Sequence, residues 1–381
     1  MLHSIRVSYR LTLPRQTSIA MHLTLFVPDL LWPDSEDKAA FDFPGANDLA
    51  KTLAFAKRSR RPMQAKDSWE SLLTELFGFD DEPPPLAALR ALGESRPATG
   101  SLLCADPVNL SFIQHSLVLS PIEGESLTES DSHALLASLN EEFAGEGHFM
   151  ADTMAETRQQ SASHWYFIPD RPISTLPDLA ACSRLAGRRV DADETRHMLD
   201  RDALKWLNRI QMCLNQHPVN ETREAQGLPP INSLWPWGWG RLDHSPQTRY
   251  CHVSGQSALL AGLCQSTRTP LAATGDFASM TGNHLVVDVG MTEAISHDDL
   301  AAWQSDMTRL VSNWISPALV ALSNRQHALQ SMTLISPGAN HEYRWTLQDS
   351  HKSLRGGWLQ RLFGRRTQAP DLHRLIQSWS A

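Results

Sequence analysis

The sequence predicts an α/β fold, a mainly parallel sheet with helices on its faces, and three observations carry that reading. Short runs at residues 22–27, 101–104, 165–168, 231–235, 284–289 and 329–335 are largely apolar and of strand length. Segments with apolar residues at helical spacing separate many of them. Strands that alternate with helices, instead of following one another through tight turns, are the pattern of parallel pairing.

Each element has a local reason. HLTLFV reads as a buried first strand that ends in Pro28-Asp29, as an α/β sheet commonly begins. Residues 47–58 look helical. Residues 68–77 do so more clearly, because Trp69, Leu72, Leu73, Leu76 and Phe77 recur at helical spacing behind a cap at Asp67 or Ser68 and the run stops at Gly78. Pro83-Pro84-Pro85 introduces another short helix. Residues 101–119 hold two strands around ADPVNL, and Thr128 with Asp131 resembles a capping box that opens a helix to Phe143. Residues 144–163 have few large apolar side chains and read as a connection before the strand at 165–168. Ala203, Leu207, Ile210 and Leu214 mark one helix face that ends near His217-Pro218. The remainder reads as strand 231–235, a glycine loop at 238–240, helix 256–265, strand 284–289, helix 298–324 and strand 329–335.

The expected organisation is a start-site extension or disordered segment at 1–20, a first part of the core at 21–119 and a smaller inserted or connecting region at 120–200. A second part of the core follows at 201–350, then a basic tail at 351–381. In that tail, 352–366 carries five Lys/Arg and no Asp/Glu among Trp358, Leu359, Leu362 and Phe363, and reads as a solvated segment.

Composition narrows the function. A net charge of −8 and a pI near 6.0 argue against a general nucleic-acid binder. Five scattered cysteines with no Cys-x-x-Cys indicate neither a disulfide framework nor a structural zinc site, and fit a cytoplasmic location. No apolar run approaches the length of a membrane span or signal core. Signatures of P-loops, dinucleotide-binding Rossmann units, zincins and serine hydrolases are absent.

The densest group of polar and aromatic residues is QMCLNQHPVNETREAQGLPPINSLWPWGWG, residues 211–240. It delivers His217, Asn220 and Arg223 to a turn. Arg223 has the fork to hold a phosphate or carboxylate, the glycine loop would admit an anion to backbone N–H groups, and Trp237 would wall off water. The same residues also suit a packed domain junction, with Arg223 paired to Glu221 or Glu224, and both readings stay open on sequence. Asp106 at a strand end can orient a ligand or bind a metal, although Asp-Pro also starts turns and that reading is favoured. Glu293, His297, Asp298 and Asp299 are metal-binding residue types, yet Ser296, Asp298 and Asp299 equally suit a helix start, which is favoured.

From Met21 onward, most of the chain resembles a bacterial family labelled cofactor-independent phosphoglycerate mutase-like, also met as RpfE-type regulatory proteins. MHLTLFVPDLLWP, ADPVNL and LNQHPVNETREAQGLPPINSLWPWGWG carry the resemblance. That family is similar in turn to the archaeal-type mutases of the alkaline-phosphatase-like superfamily, which implies an alkaline-phosphatase-like sheet with a smaller α+β insertion. In those relatives a serine carries the phosphoryl group and two divalent metal ions lower its pKa. Asp29 falls at the early metal-binding Asp, with Leu30 in place of the following Gly. Phe77-Gly78-Phe79-Asp80 looks like the family's Leu-Gly-Tyr-Asp and places the nucleophile near Ser68, although Asp67-Ser68-Trp69-Glu70 does not reproduce Gly-Ser-Asp. Thr292 stands where a metal-binding Asp is expected, and His297 and Asp298 match at a spacing one residue too long.

The resemblance therefore implies a catalytically degenerate mutase-like protein in a regulatory role. It would bind a phosphorylated or carboxylated small metabolite at Asp106, His217, Asn220, Arg223 and Trp237, without a cofactor. An alternative is an active mutase or phosphatase with Ser68 as nucleophile and two Mn, Mg or Zn ions on Asp29, His297 and Asp298. A third is a non-enzymatic module that binds a protein partner through the Trp-rich loop or the basic tail.

Overall fold

A computed structural model describes residues 20–80, 83–96, 100–113, 116–122, 126–151, 163–170, 178–190, 201–324, 328–348 and 371–380. The readings made for residues 1–19 and for the basic segment 352–366 lie outside them.

The first half of the described chain holds strand β1 (Met21–Phe26), helix α1 (Ala46–Phe55), β2 (Lys57–Pro62), α2 (Trp69–Leu76), α3 (Leu86–Gly93), β3 (Leu102–Ile113), β4 (Ser116–Pro121), α4 (Glu129–Glu142), β5 (Gly147–Ala151), β6 (Trp165–Pro169) and β7 (Arg189–Val190). The second half holds α5 (Arg201–Leu214), α6 (Pro218–Ala225), β8 (Ser233–Gly240), β9 (His252–Gly255), α7 (Ala258–Thr267), β10 (Leu271–Ala272), β11 (Asn283–Val287), α8 (Gly290–Ser296), α9 (Leu300–Leu310), α10 (Ser316–Ser323), β12 (Leu329–Pro337), β13 (His341–Gln348) and α11 (Leu372–Ser380).

The main sheet runs β10-β9-β11-β1-β12-β13-β2. Its first five strands pair in parallel, and β13 and β2 add an antiparallel edge. Alternate residues feed two cores on opposite faces: Leu23, Leu25, Val286 and Leu334 enter one, and Phe26, Leu285, Val287 and Ile335 the other. A parallel sheet covered on both faces is the expected mixed α/β architecture. The second sheet is antiparallel, in the order β5-β6-β3-β4-β7 with β8 also on β3. Its apolar face continues the core that holds Phe26.

Two glycine contacts set the position of α3. A Cβ on Gly262 would lie 1.7 Å from the Leu89 carbonyl oxygen, so α3 and α7 touch backbone to backbone. On its other side α3 presses on β8, where a Cβ on Gly240 would sit 2.7 Å from Pro85. The glycines at 238–240 therefore belong to a strand, not to a loop, and their missing side chains admit a helix.

Other segments also depart from the sequence reading for physical reasons. The turn expected after His217 is helix α6: Pro218 opens it instead of ending the one before, since the first turn needs no donor from proline. Part of the 144–163 connection is β5, paired with β6. The helix expected over 298–324 is interrupted by a π-helical turn at Val311–Ile315, just before Pro317, which has no N–H to continue the ladder. Among the described residues no helix is long and apolar enough to cross a membrane.

Candidate functional site

Two neighbouring cavities open at the carboxyl ends of the parallel strands, where open α/β sheets bind ligands. The smaller, of about 350 Å³, lies where the chain leaves β1 and β12. Asp29 follows β1 in a left-handed conformation, with φ +56°, and is fixed through its main chain: its N–H donates to the Pro337 oxygen at 2.8 Å, and its oxygen accepts from the Trp303 indole at 3.1 Å. Trp303 is itself wedged between Trp32, Phe41 and Phe43. Burial raises the Asp29 pKa to about 6, against the opposing pull of the Thr292 hydroxyl and the Arg188 and Arg184 guanidiniums. All four of these residues line the cavity, with Ser68 and His341.

Ser68 is the N-cap of α2 in a capping box with Ser71: its hydroxyl accepts from the Ser71 N–H at 3.3 Å while the Ser71 hydroxyl accepts from Ser68 N–H at 3.0 Å. It is only 2% exposed. The structure thus brings Ser68 and Asp29 onto one cavity.

The larger cavity, of about 570 Å³, lies beyond Trp69, which lines both. Asp106 and Trp237 meet here, with Arg90 between them. Arg90 donates to both Asp106 oxygens at 2.8 Å, to the Tyr166 hydroxyl at 3.0 Å and to the Trp165 oxygen at 3.1 Å. Asp106 also accepts the Trp237 indole N–H at 2.8 Å and the Trp165 N–H at 3.2 Å. Burial opposes the Arg90 charge, but the paired carboxylate outweighs it and holds the guanidinium above its ordinary pKa. Asp106 is not the turn starter expected of Asp-Pro: it lies within β3, its two oxygens filled by four donors.

Glu70 lines the same cavity and is 5% exposed. Burial raises its pKa to about 7, against hydrogen bonds led by the Ser183 hydroxyl at 2.8 Å.

His217, Asn220 and Arg223 are elsewhere, and none of them lines either cavity. His217 caps α6, its ring accepting from the Val219 N–H at 3.2 Å. Asn220 donates to the Leu214 and Ile231 oxygens at 3.1 and 2.9 Å and accepts from the Ile231 N–H at 2.8 Å. Arg223, 2% exposed, donates to the oxygens of Pro229 and Ser126. The anion clamp expected of Arg223 has no support in these surroundings: the guanidinium is sealed in and serves main-chain carbonyls, not Glu221 or Glu224. Asn220→Ala is expected to cost about 2–3 kcal/mol, because it strands buried main-chain groups, while ligand binding at the cavities is unchanged. Urea melts alongside a binding titration check both.

His297 and Asp298 are exposed in the turn between α8 and α9, where the His297 ring is hydrogen-bonded to the Glu293 oxygen at 3.0 Å and Asp298 has φ +55°. They do not join Asp29 on its cavity. A two-metal centre needs several anionic or imidazole ligands together. Among the described residues no cluster of three or more His, Cys, Asp or Glu could hold a metal ion. At Asp29 the neighbouring charges are two arginines, so this donor set does not fit a pair of dications.

Sequence reasoning missed Arg90, Glu70, Arg184 and Arg188. The SRLAGRR run did carry a signal, two arginines four residues apart near a glycine.

No family model matches the chain, and no curated protein matches it. Among solved structures it is similar to the PH0037 protein from Pyrococcus horikoshii, with a TM-score of 0.45 and 11% identity over 87% of this chain and 88% of that one. It is also similar to a cofactor-independent phosphoglycerate mutase from Thermoplasma acidophilum, with a TM-score of 0.38 and 14% identity over 87% of this chain and 90% of the mutase.

Proposed function

We propose that this chain is a mutase-like protein without a two-metal centre, which binds a phosphorylated or carboxylated small molecule in a regulatory role. The observation that carries this is the placement of Arg184 and Arg188 beside Asp29 in the cavity at the end of β1. Two guanidiniums there supply the charge that metal ions would otherwise bring to a phosphate, and main-chain bonds hold them in place, Arg184 donating to the Ala339 oxygen and Arg188 to the Arg184 oxygen at 3.2 Å. The role assigned on sequence to Arg223 passes to this pair.

The test is calorimetric titration with 3-phosphoglycerate. Arg188→Gln is expected to weaken binding by at least about tenfold, as loss of a charge-assisted contact does. An unchanged affinity would remove the assignment.

One observation favours a second reading, an active phosphoserine enzyme: Ser68 and Asp29 share a cavity. Metal-supplemented conversion of 3- to 2-phosphoglycerate that disappears in Ser68→Ala would replace the binding reading with catalysis.

A further inference from the structure

The two cavities differ in the sign of their charge and share a wall. Trp69 lines both. Beside it, the start of α2 contributes Ser68 to the smaller cavity and Glu70 to the larger, while α8 contributes Thr292 to the smaller and Glu293 to the larger. Ser183, whose hydroxyl donates to Glu70 at 2.8 Å, itself lines the smaller cavity, so one hydrogen bond links the Glu70 carboxyl to the arginine side.

In the smaller cavity Arg184 and Arg188 outnumber Asp29. In the larger, Arg90 is matched by Asp106 at 2.8 Å, and the carboxyls of Glu70, buried, and Glu293, exposed, line the space beside that pair. An ammonium group suits that place: it brings three donors and a charge to the Glu70 carboxyl, which is withdrawn from water, and to the exposed carboxyl of Glu293.

We propose that the two cavities form one bipartite site for a zwitterionic small molecule, with its phosphate or carboxylate on Arg184 and Arg188 and a primary ammonium on Glu70 and Glu293 across Trp69. This rests on the anion-binding reading above and adds the amine.

O-phosphoserine and 3-phosphoglycerate share a skeleton and differ by an amine against a hydroxyl, so titrating the full chain with each isolates the ammonium. O-phosphoserine is expected to bind at least about tenfold more tightly. That preference should collapse in Glu70→Gln and in Glu293→Gln, whereas Arg188→Gln should weaken both compounds alike. Glu293 is exposed, so its variant keeps the test decisive even where the buried substitution does not fold. Equal affinity of the wild type for both compounds, or a preference that survives in both glutamate variants, overturns the ammonium site and leaves the anion reading standing. Binding of neither compound, or an Arg188→Gln variant that binds as the wild type does, removes both.

Discussion

Asp106→Ala is expected to destabilise the chain by about 3–5 kcal/mol, the cost of leaving a buried charge without its partner. Arg90 and Asp106 are 4% and 9% exposed, and the carboxylate accepts every bond described for it from groups that are themselves buried. Without it, the Arg90 guanidinium keeps bonds to Tyr166 and the Trp165 oxygen but loses its counter-charge. The Trp237 indole N–H loses its acceptor as well. The effect extends through Tyr166, whose hydroxyl donates to Glu94 at 2.8 Å, to His164, which bonds the same carboxyl at 2.6 Å.

A shift of the urea midpoint at constant slope measures the loss. Arg90→Met combined with Asp106→Leu removes both charges together, and should recover much of the stability lost in the single variant. A single variant within about 1 kcal/mol of wild type would show that water reaches the guanidinium and that the pair is not the core element described here.

This ion pair also shows where sequence reading stops. LAALRALG is an apolar helix with one arginine, and nothing within its own span names a partner; Asp106 arrives from another element. The edge strand β2 escaped for a related reason. All six residues of KRSRRP are exposed, so no apolar alternation marks β2, although cationic residues are a usual means of guarding a sheet edge. In contrast β1 and α2 were legible, since a buried parallel strand is nearly all apolar and an amphipathic helix with a serine cap announces its own start.

The cluster at 211–240 divides in the fold: Trp237 lines the larger cavity, whereas Asn220 and Arg223 bond main-chain groups away from both cavities. Between α5 and β8 the chain is mostly exposed, and the buried Asn220 and Arg223 turn inward from α6 to bond the main-chain groups of the Ile231 and Pro229 stretch. Asp29 and Ser68 are reached through the family resemblance, which aligns them with a metal-binding Asp and with the position of the nucleophile. Arg184 and Arg188 are not, because charged residues in a loop are ordinarily solvated and only the fold brings them to Asp29.

Glu70 is expected to make stability fall between about pH 4.5 and 7. Its carboxyl has a pKa near 4.5 when unfolded and about 7 when folded, so over that interval the folded chain holds a proton that the unfolded chain has released. Stability therefore declines as pH rises through the window and levels off above it, by about 3 kcal/mol in all. Asp29 contributes in the same direction at lower pH, between 3.8 and about 6. Burial holds His284 at about 4, below its ordinary 6.5, and makes stability rise with pH up to 6.5, so the interval from pH 6.5 to 7 is the one that reads Glu70. Glu70→Gln keeps an amide next to Ser183 and has no proton to lose, so its stability should be flat from pH 6.5 to 7 and exceed that of wild type at pH 8 by about 2 kcal/mol. Asp29→Asn should leave the slope in that interval intact. Equal slopes in wild type and Glu70→Gln would mean that the carboxyl is hydrated or matched by a cation in the free protein. If the slope is present, the ionised carboxyl is a cost the fold bears above pH 7, and a cation seated in the larger cavity is the means to offset it. O-phosphoserine should then raise the melting temperature of wild type more at pH 8 than at pH 6, and Glu70→Gln should abolish that difference.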